Sequence, residues 1–176
     1  MRGVVRTLVL GGTRSGKSRY AEDLLPADEP VRYVATARLR IDDDEWTARI
    51  DAHRARRPQA WTTVEEPDVA ALVRAGGGAL LVDDLGTWIT GVLDDADGWE
   101  RAVDISPQRD GLVAAVRAAT GRVVLVSAEV GLGVVPATRA GRVFRDELGA
   151  LNAALAQVCD EVVLLVAGLP LRLKPS

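Results

Sequence analysis

The sequence predicts an α/β domain of three layers, a mostly parallel sheet with helices on both faces. Two observations predict it. Short Val- and Leu-rich runs alternate along the chain with segments of helical character. Those runs lack the apolar–polar alternation of a half-exposed strand, as strands covered on both faces do. The chain has 176 residues and 48% hydrophobic content, which suits a single domain over residues 1–176 with a sizeable core.

Each element follows from its local pattern. Val4–Leu10 is an apolar run broken only by Arg6 and Thr7, and Gly11-Gly12 end it. Lys17–Leu25 continues as a helix, and the chain turns between Pro26 and Pro30. Val31–Ala35 is a second strand. Asp42 or Asp43 caps a helix running to about Arg56, before Pro58. Trp61–Val64 reads as a short strand and Asp68–Ala75 as a helix stopped by Gly76–Gly78. Ala79–Val82 is the third major strand, running into Asp83-Asp84, and Leu85–Leu93 is helical. Asp94–Gly98 is polar and expected to be exposed. Pro107 suits the first turn of a helix reaching Thr120. Val123–Val126 is a strand, and Gly131, Gly133 and Pro136 mark a loop. Thr138–Val158 has the clearest helical periodicity, with Phe144, Leu148, Leu151, Leu155 and Val158 on one stripe. Val162–Val166 and Leu169–Leu173 close the chain as strands. Most of Trp46, Trp61, Trp88 and Trp99 are expected in the core.

Composition excludes several classes. A formal net charge of −3, from 22 basic and 25 acidic residues, gives no general attraction to nucleic acid. No run reaches the roughly 18 apolar residues needed to span a membrane. The opening MRGVVRTLVLGG is too short for a signal peptide and lacks a cleavage pattern. Cys159 is the one cysteine, so no intrachain disulfide forms. A soluble cytoplasmic protein is expected.

The chemistry begins at Gly11-Gly12-Thr13-Arg14-Ser15-Gly16-Lys17-Ser18, which matches GxxxxGK[ST] between an apolar strand and a helix. Glycines let the backbone turn tightly and bring its N–H groups to phosphate oxygens. Lys17 is placed to reach the β- and γ-phosphates, and Ser18 to ligand Mg²⁺. Arg14 either adds charge to the loop or faces water. This context makes the expected fold P-loop NTPase-type and RecA-like. Asp83 follows Leu80-Leu81-Val82 as a Walker-B carboxylate would, to hold the metal directly or through water. Either Asp83 or Asp84 could instead cap the following helix.

His53 is the only histidine. In a helix over 42–56, Arg49 and Arg56 share its face. Adjacent cations favour neutral imidazole and attract phosphate. Two readings stay open at this point. His53 is an exposed residue of a basic helix, or it is an acid, base or nucleophile at a bound triphosphate.

Taken together, GGTRSGKSRYAE, YVATA (33–37), RIDAHRARRP (49–58), LLVDDLGTWIT (80–90), EVGLGVVP (129–136) and RVFRDELGALN (142–152) resemble the bifunctional adenosylcobinamide kinase/adenosylcobinamide-phosphate guanylyltransferases of cobalamin synthesis. The resemblance covers nearly the whole chain, and its last two segments are the most specific. It implies that ATP or GTP phosphorylates adenosylcobinamide, and that GMP then passes from GTP to adenosylcobinamide phosphate, with release of pyrophosphate. It places His53 on the residue that takes up GMP, Gly11 to Ser18 on the phosphate loop and Asp83 on the Walker-B acid. It places Glu129 near nucleotide or corrinoid, and Arg142, Arg145 and Asp146 on an RxFRD segment. Arg49 and Arg56 are candidates to neutralise phosphate charge. A homo-oligomer, commonly a trimer in the family, is also implied. The chain departs from the familiar pattern at Asp84, Gly91 and Ala128, in place of Cys, Asn and Asn, and at Arg57 in place of Gly. A kinase without guanylyl transfer, and a GTP-binding switch or assembly protein, are the alternatives.

Overall fold

A computed structural model describes residues 5–38, 57–66 and 68–174. Their elements run β1 (Arg6–Gly11), α1 (Lys17–Asp23), β2 (Val31–Ala35), β3 (Trp61–Val64), α2 (Val69–Ala75), β4 (Ala79–Asp83), α3 (Leu85–Asp95), α4 (Ser106–Ala118), β5 (Val123–Ala128), α5 (Arg139–Val158), β6 (Glu161–Val166) and β7 (Leu169–Lys174). One sheet takes the order β3-β2-β4-β5-β1-β6-β7. Its neighbours pair in parallel except β6 and β7, which form an antiparallel edge.

The apolar runs are explained by the pleat. Successive strand side chains point to opposite faces, and here both faces are buried. Leu8, Leu10, Leu80, Val82, Val123, Leu125 and Val162 join one core with Leu112, Leu148, Leu151 and Leu155 from α4 and α5. Val9, Leu81, Val124, Val126, Val163 and Leu165 join a second core with Ala21 of α1, Tyr33 and Trp61. The expected three layers are present, unevenly filled among the described residues. Helices α2–α5 cover the first face and α1 the second.

Local chemistry sets the helix starts. Asp68, Asp84 and Thr138 accept from Ala71, Thr87 and Gly141 backbone N–H groups at 2.8, 2.8 and 3.1 Å, the N-cap role these residue types favour. The cap settles the question left open for Asp84, whose carboxylate is turned to the start of α3. Pro107 sits in the first turn of α4 as expected.

The ends of α3 and α4 and the exposure of Gly98 differ from expectation, while the tryptophans that are described fall as expected. Asp94 and Asp95 belong to the last turn of α3, and Gly98 is buried rather than exposed. Its N–H donates to the Leu93 carbonyl at 2.8 Å, and a Cβ there would stand 2.7 Å from the Leu93 side chain. Helix α4 stops at Ala118 because Ala119 turns extended. Trp61 and Trp88 are core residues and Trp99 packs against the core, whereas Trp46 and the helix expected over 42–56 lie outside the described residues.

Candidate nucleotide-binding site

The glycine loop leaves the C-terminal end of β1, where a parallel sheet opens a crevice for ligands. Gly11 is the last residue of β1, and a Cβ on it would lie 2.4 Å from Ser15 Oγ and 3.1 Å from the Leu165 carbonyl. That close approach requires glycine. Gly16 takes a left-handed conformation (φ 88°) at the start of α1, and Arg14 does likewise (φ 56°) with its side chain exposed. Thr13 and Gly12 are exposed as well, whereas Ser15 is buried and its hydroxyl has no hydrogen-bond partner. Lys17 Nζ donates to the Gly12 carbonyl at 3.4 Å, folded across the loop. The ammonium thus lies against the backbone of the glycine loop.

Asp83 closes the site from across the sheet. Strand β5 separates β4 from β1, yet Ser18 Oγ donates to Asp83 Oδ1 at 3.2 Å. A hydroxyl and a carboxylate converging in this way are hard oxygen donors. They fit Mg²⁺, which takes few protein ligands and completes its shell with phosphate and water. No group of three or more His, Cys, Asp or Glu side chains poised for a metal occurs among the described residues. The other Asp83 oxygen accepts from the Tyr33 hydroxyl. Burial, then the Asp83 charge and hydrogen bond, hold the Tyr33 phenol far above its ordinary pKa, so it stays a donor.

The third wall is the end of β5. Glu129 N–H donates to the Gly11 carbonyl at 3.1 Å, tying this residue to the phosphate loop. Its carboxylate accepts from Gly131 N–H at 2.8 Å and so orders its own loop. Beneath it, Ser127 Oγ donates to Asn152 Oδ1 at 2.6 Å, and Asn152 Nδ2 donates to the Ala128 carbonyl at 3.0 Å. The RxFRD residues lie on α5. Arg142 donates to the Pro136 and Ala137 carbonyls at 3.0 and 2.7 Å, and Arg145 meets Asp146 at 3.4 Å. These contacts brace the loop and the helix surface.

Beside Asp83 lies a cleft of about 410 Å³ at the ends of β2 and β3, walled by Thr36, Glu65, Thr87 and Trp88. Arg38 forms a bidentate pair with Asp95 at 2.7 and 2.6 Å on its rim. Gly91 makes room for this pair, since a Cβ would stand 3.0 Å from the Arg38 guanidinium.

Lys17, Ser18, Asp83 and Glu129 are therefore gathered at one sheet end, and His53, Arg49 and Arg56 lie outside the described residues. Tyr33, Thr36 and Arg57 did not emerge as site residues from motif reasoning. Their signal was weak: Tyr33 and Thr36 are polar groups in and just after an otherwise apolar strand, and Arg57 belongs to a basic run ahead of β3. Thr36 Oγ1 donates to the Asp84 carbonyl at 2.6 Å and lies 2.6 Å from Thr87 Oγ1, so it fixes the turn after β4.

Comparison with known proteins agrees with this geometry. Residues 7–173 match the family described as cobinamide kinase / cobinamide phosphate guanyltransferase. The chain is 44% identical to the bifunctional adenosylcobalamin biosynthesis protein CobP of Pseudomonas aeruginosa, covering 97% of this chain and 98% of that one. It is 39% identical to the bifunctional adenosylcobalamin biosynthesis protein CobU of Escherichia coli, covering 95% and 98%. A solved ATPase from a bacterial type III secretion system superposes over 92% of this chain and 51% of its own, with a TM-score of 0.53 at 14% identity. This likeness concerns the fold alone. By matched length and identity, the chain belongs to the cobinamide kinase / cobinamide phosphate guanyltransferase family.

Proposed function

We propose that the chain catalyses both reactions its family is named for. In the first, the hydroxyl of the adenosylcobinamide aminopropanol arm attacks the γ-phosphorus of ATP or GTP. The β–γ bridging bond breaks, and a nucleoside diphosphate leaves with the electron pair. Lys17 and the N–H groups of residues 11–18 stabilise charge on the transferring group. Ser18 and Asp83 would hold Mg²⁺, whose part is to neutralise phosphate charge during transfer. One observation carries this reading: the Ser18 hydroxyl on the Asp83 carboxylate, at the mouth of a glycine loop under Lys17.

In the second reaction, His53 attacks the α-phosphorus of GTP and pyrophosphate leaves. The phosphate of adenosylcobinamide phosphate then takes GMP from the imidazole, giving adenosylcobinamide-GDP. A covalent intermediate divides one hard transfer into two steps. Arg49 and Arg56 would offset phosphate charge near His53, and Glu129 would order the loop facing the nucleotide. The family relationship and the basic RIDAHRARRP segment support this half. The reading also takes the protein as a cytoplasmic homo-oligomer, with a trimer as the expected state. No helix among the described residues is long and apolar enough to cross a membrane.

The test is covalent labelling. Incubated with α-labelled GTP and denatured, the wild-type chain should carry label stable to base and labile to acid. His53→Asn should carry none, while still phosphorylating adenosylcobinamide. Label retained by the variant would move the covalent step to another residue, and a wild-type chain that carries no label would leave a P-loop kinase without guanylyl transfer.

A further inference from the structure

We infer that Tyr33 is a positioning residue for the carboxylate of Asp83, and that Arg57 steadies Tyr33 in that role. The inference rests on the reading of Asp83 as the metal-side acid. Strands β2 and β4 are parallel neighbours, with Tyr33 opposite Leu81 and Ala35 opposite Asp83. Side chains two apart share a face of a sheet, so Tyr33, Leu81 and Asp83 all point toward the layer of α1. A tyrosine side chain is long enough to reach the diagonal neighbour, and the Tyr33 hydroxyl donates to Asp83 Oδ2. Ser18 reaches the opposite oxygen, Oδ1.

The two bonds divide the carboxylate's work. With Oδ2 fixed from behind by a phenol that is 1% exposed, rotation about the last side-chain bond of Asp83 is restrained. Oδ1 is left on the Ser18 side, where metal and phosphate would sit. Hydrogen bonds to charged acceptors are among the stronger ones in proteins, so this restraint is not trivial. The ring of Tyr33 is itself clamped. Trp61 packs beside it with ring centroids 6.4 Å apart. The Arg57 guanidinium lies over its face, 3.7 Å from the ring centroid, and donates to Thr63 Oγ1 at 2.6 Å. A cation on the ring face is attracted to the π-system and draws electron density from the phenol. The hydroxyl becomes a better donor to Asp83.

This predicts a specific split. Tyr33→Phe keeps the ring and its packing and removes only the hydroxyl. Measured by electron paramagnetic resonance with a non-hydrolysable GTP analogue present, its Mn²⁺ affinity should fall about tenfold, the worth of one lost hydrogen bond to a charged group. Its affinity for the same analogue without metal should change less than twofold. Arg57→Ala should weaken Mn²⁺ binding by a smaller factor. In the Tyr33→Phe background, Arg57→Ala should add nothing, because its effect passes through the missing hydroxyl. Asp83→Asn serves as the reference and should lose Mn²⁺ binding most severely. Unchanged Mn²⁺ affinity in Tyr33→Phe, with Asp83→Asn impaired, would overturn the positioning role alone. Equal losses with and without metal would make Tyr33 a merely structural residue and overturn it too. If Asp83→Asn also binds Mn²⁺ normally, the metal-side reading of Asp83 falls and the inference falls with it.

Discussion

Gly11 and Gly12 are adjacent in the glycine loop, and the structure separates their roles sharply. A methyl group at Gly11 would stand 2.4 Å from Ser15 Oγ, about 1 Å short of ordinary contact, and 3.1 Å from both Ser15 Cβ and the Leu165 carbonyl. Neither neighbour gives way easily. Ser15 is buried, and the Leu165 carbonyl belongs to β6, paired in register with Gly11. Overpacking of this kind costs about 1–3 kcal/mol. In a chain of this size each kcal/mol lowers the melting temperature by about 2–4 °C. Gly11→Ala should therefore melt about 2–12 °C below wild type when no nucleotide is present. Gly12→Ala meets nothing within 4 Å and should stay within about 0.5 kcal/mol of wild type. Ser15→Ala, placed in the Gly11→Ala background, should recover part of the loss by removing the closest atom. It forfeits no hydrogen bond, since Ser15 Oγ has no partner. Thermal unfolding of the four proteins checks all of this. Equal melting temperatures for Gly11→Ala and Gly12→Ala would refute the close approach of β1, the loop and β6.

Two further predictions concern ionisable groups. Arg6 hydrogen-bonds Asp160 at 2.7 and 2.9 Å, and this contact holds the Asp160 carboxyl below its ordinary range. A folded-state value below the unfolded one means stability that is present above about pH 4 and lost as pH falls through the lower folded value. Asp160→Asn should cost about 1 kcal/mol or less at pH 7, because the pair is partly exposed, and should flatten the acid limb below pH 4. Denaturant melts from pH 7 to pH 2.5 check it, and parallel acid limbs for both proteins would count against the pair. Cys159 is buried, and burial pushes its thiol up to about 12. It should resist a disulfide reagent at pH 8 in the native protein and react promptly in denaturant. Fast native labelling would place it at the surface instead.

The sheet was legible because its strands are buried on both faces, so their apolar runs stood out against everything between them. The phosphate loop was legible because its glycines, lysine and serine are demanded by backbone geometry at fixed spacing. Asp83 could be picked out ahead of Asp84 as the acid ending an apolar strand, but which of the two would cap the next helix was not readable. Two adjacent acids look alike until one of them caps α3 and the other meets Ser18 and Tyr33. Tyr33 was hidden for a different reason. In the sequence it is an aromatic residue in a strand, and only the parallel pairing of β2 with β4 brings its hydroxyl to a carboxylate 50 residues away. Gly98 was misjudged because composition alone marks Asp94–Gly98 as solvent-facing. Its burial comes from a turn folded against Leu93 and Val103.

The central claim is that one chain carries two transfer reactions and that the second passes through His53. Its most direct measurement is product analysis with adenosylcobinamide, ATP and GTP, comparing wild type with His53→Asn. The wild-type protein should convert adenosylcobinamide to its phosphate and then to adenosylcobinamide-GDP, releasing one pyrophosphate per GTP consumed in the second step. His53→Asn should stop at adenosylcobinamide phosphate. Formation of adenosylcobinamide-GDP by the variant at the wild-type rate, or failure of the wild type to go beyond the phosphate, would contradict it.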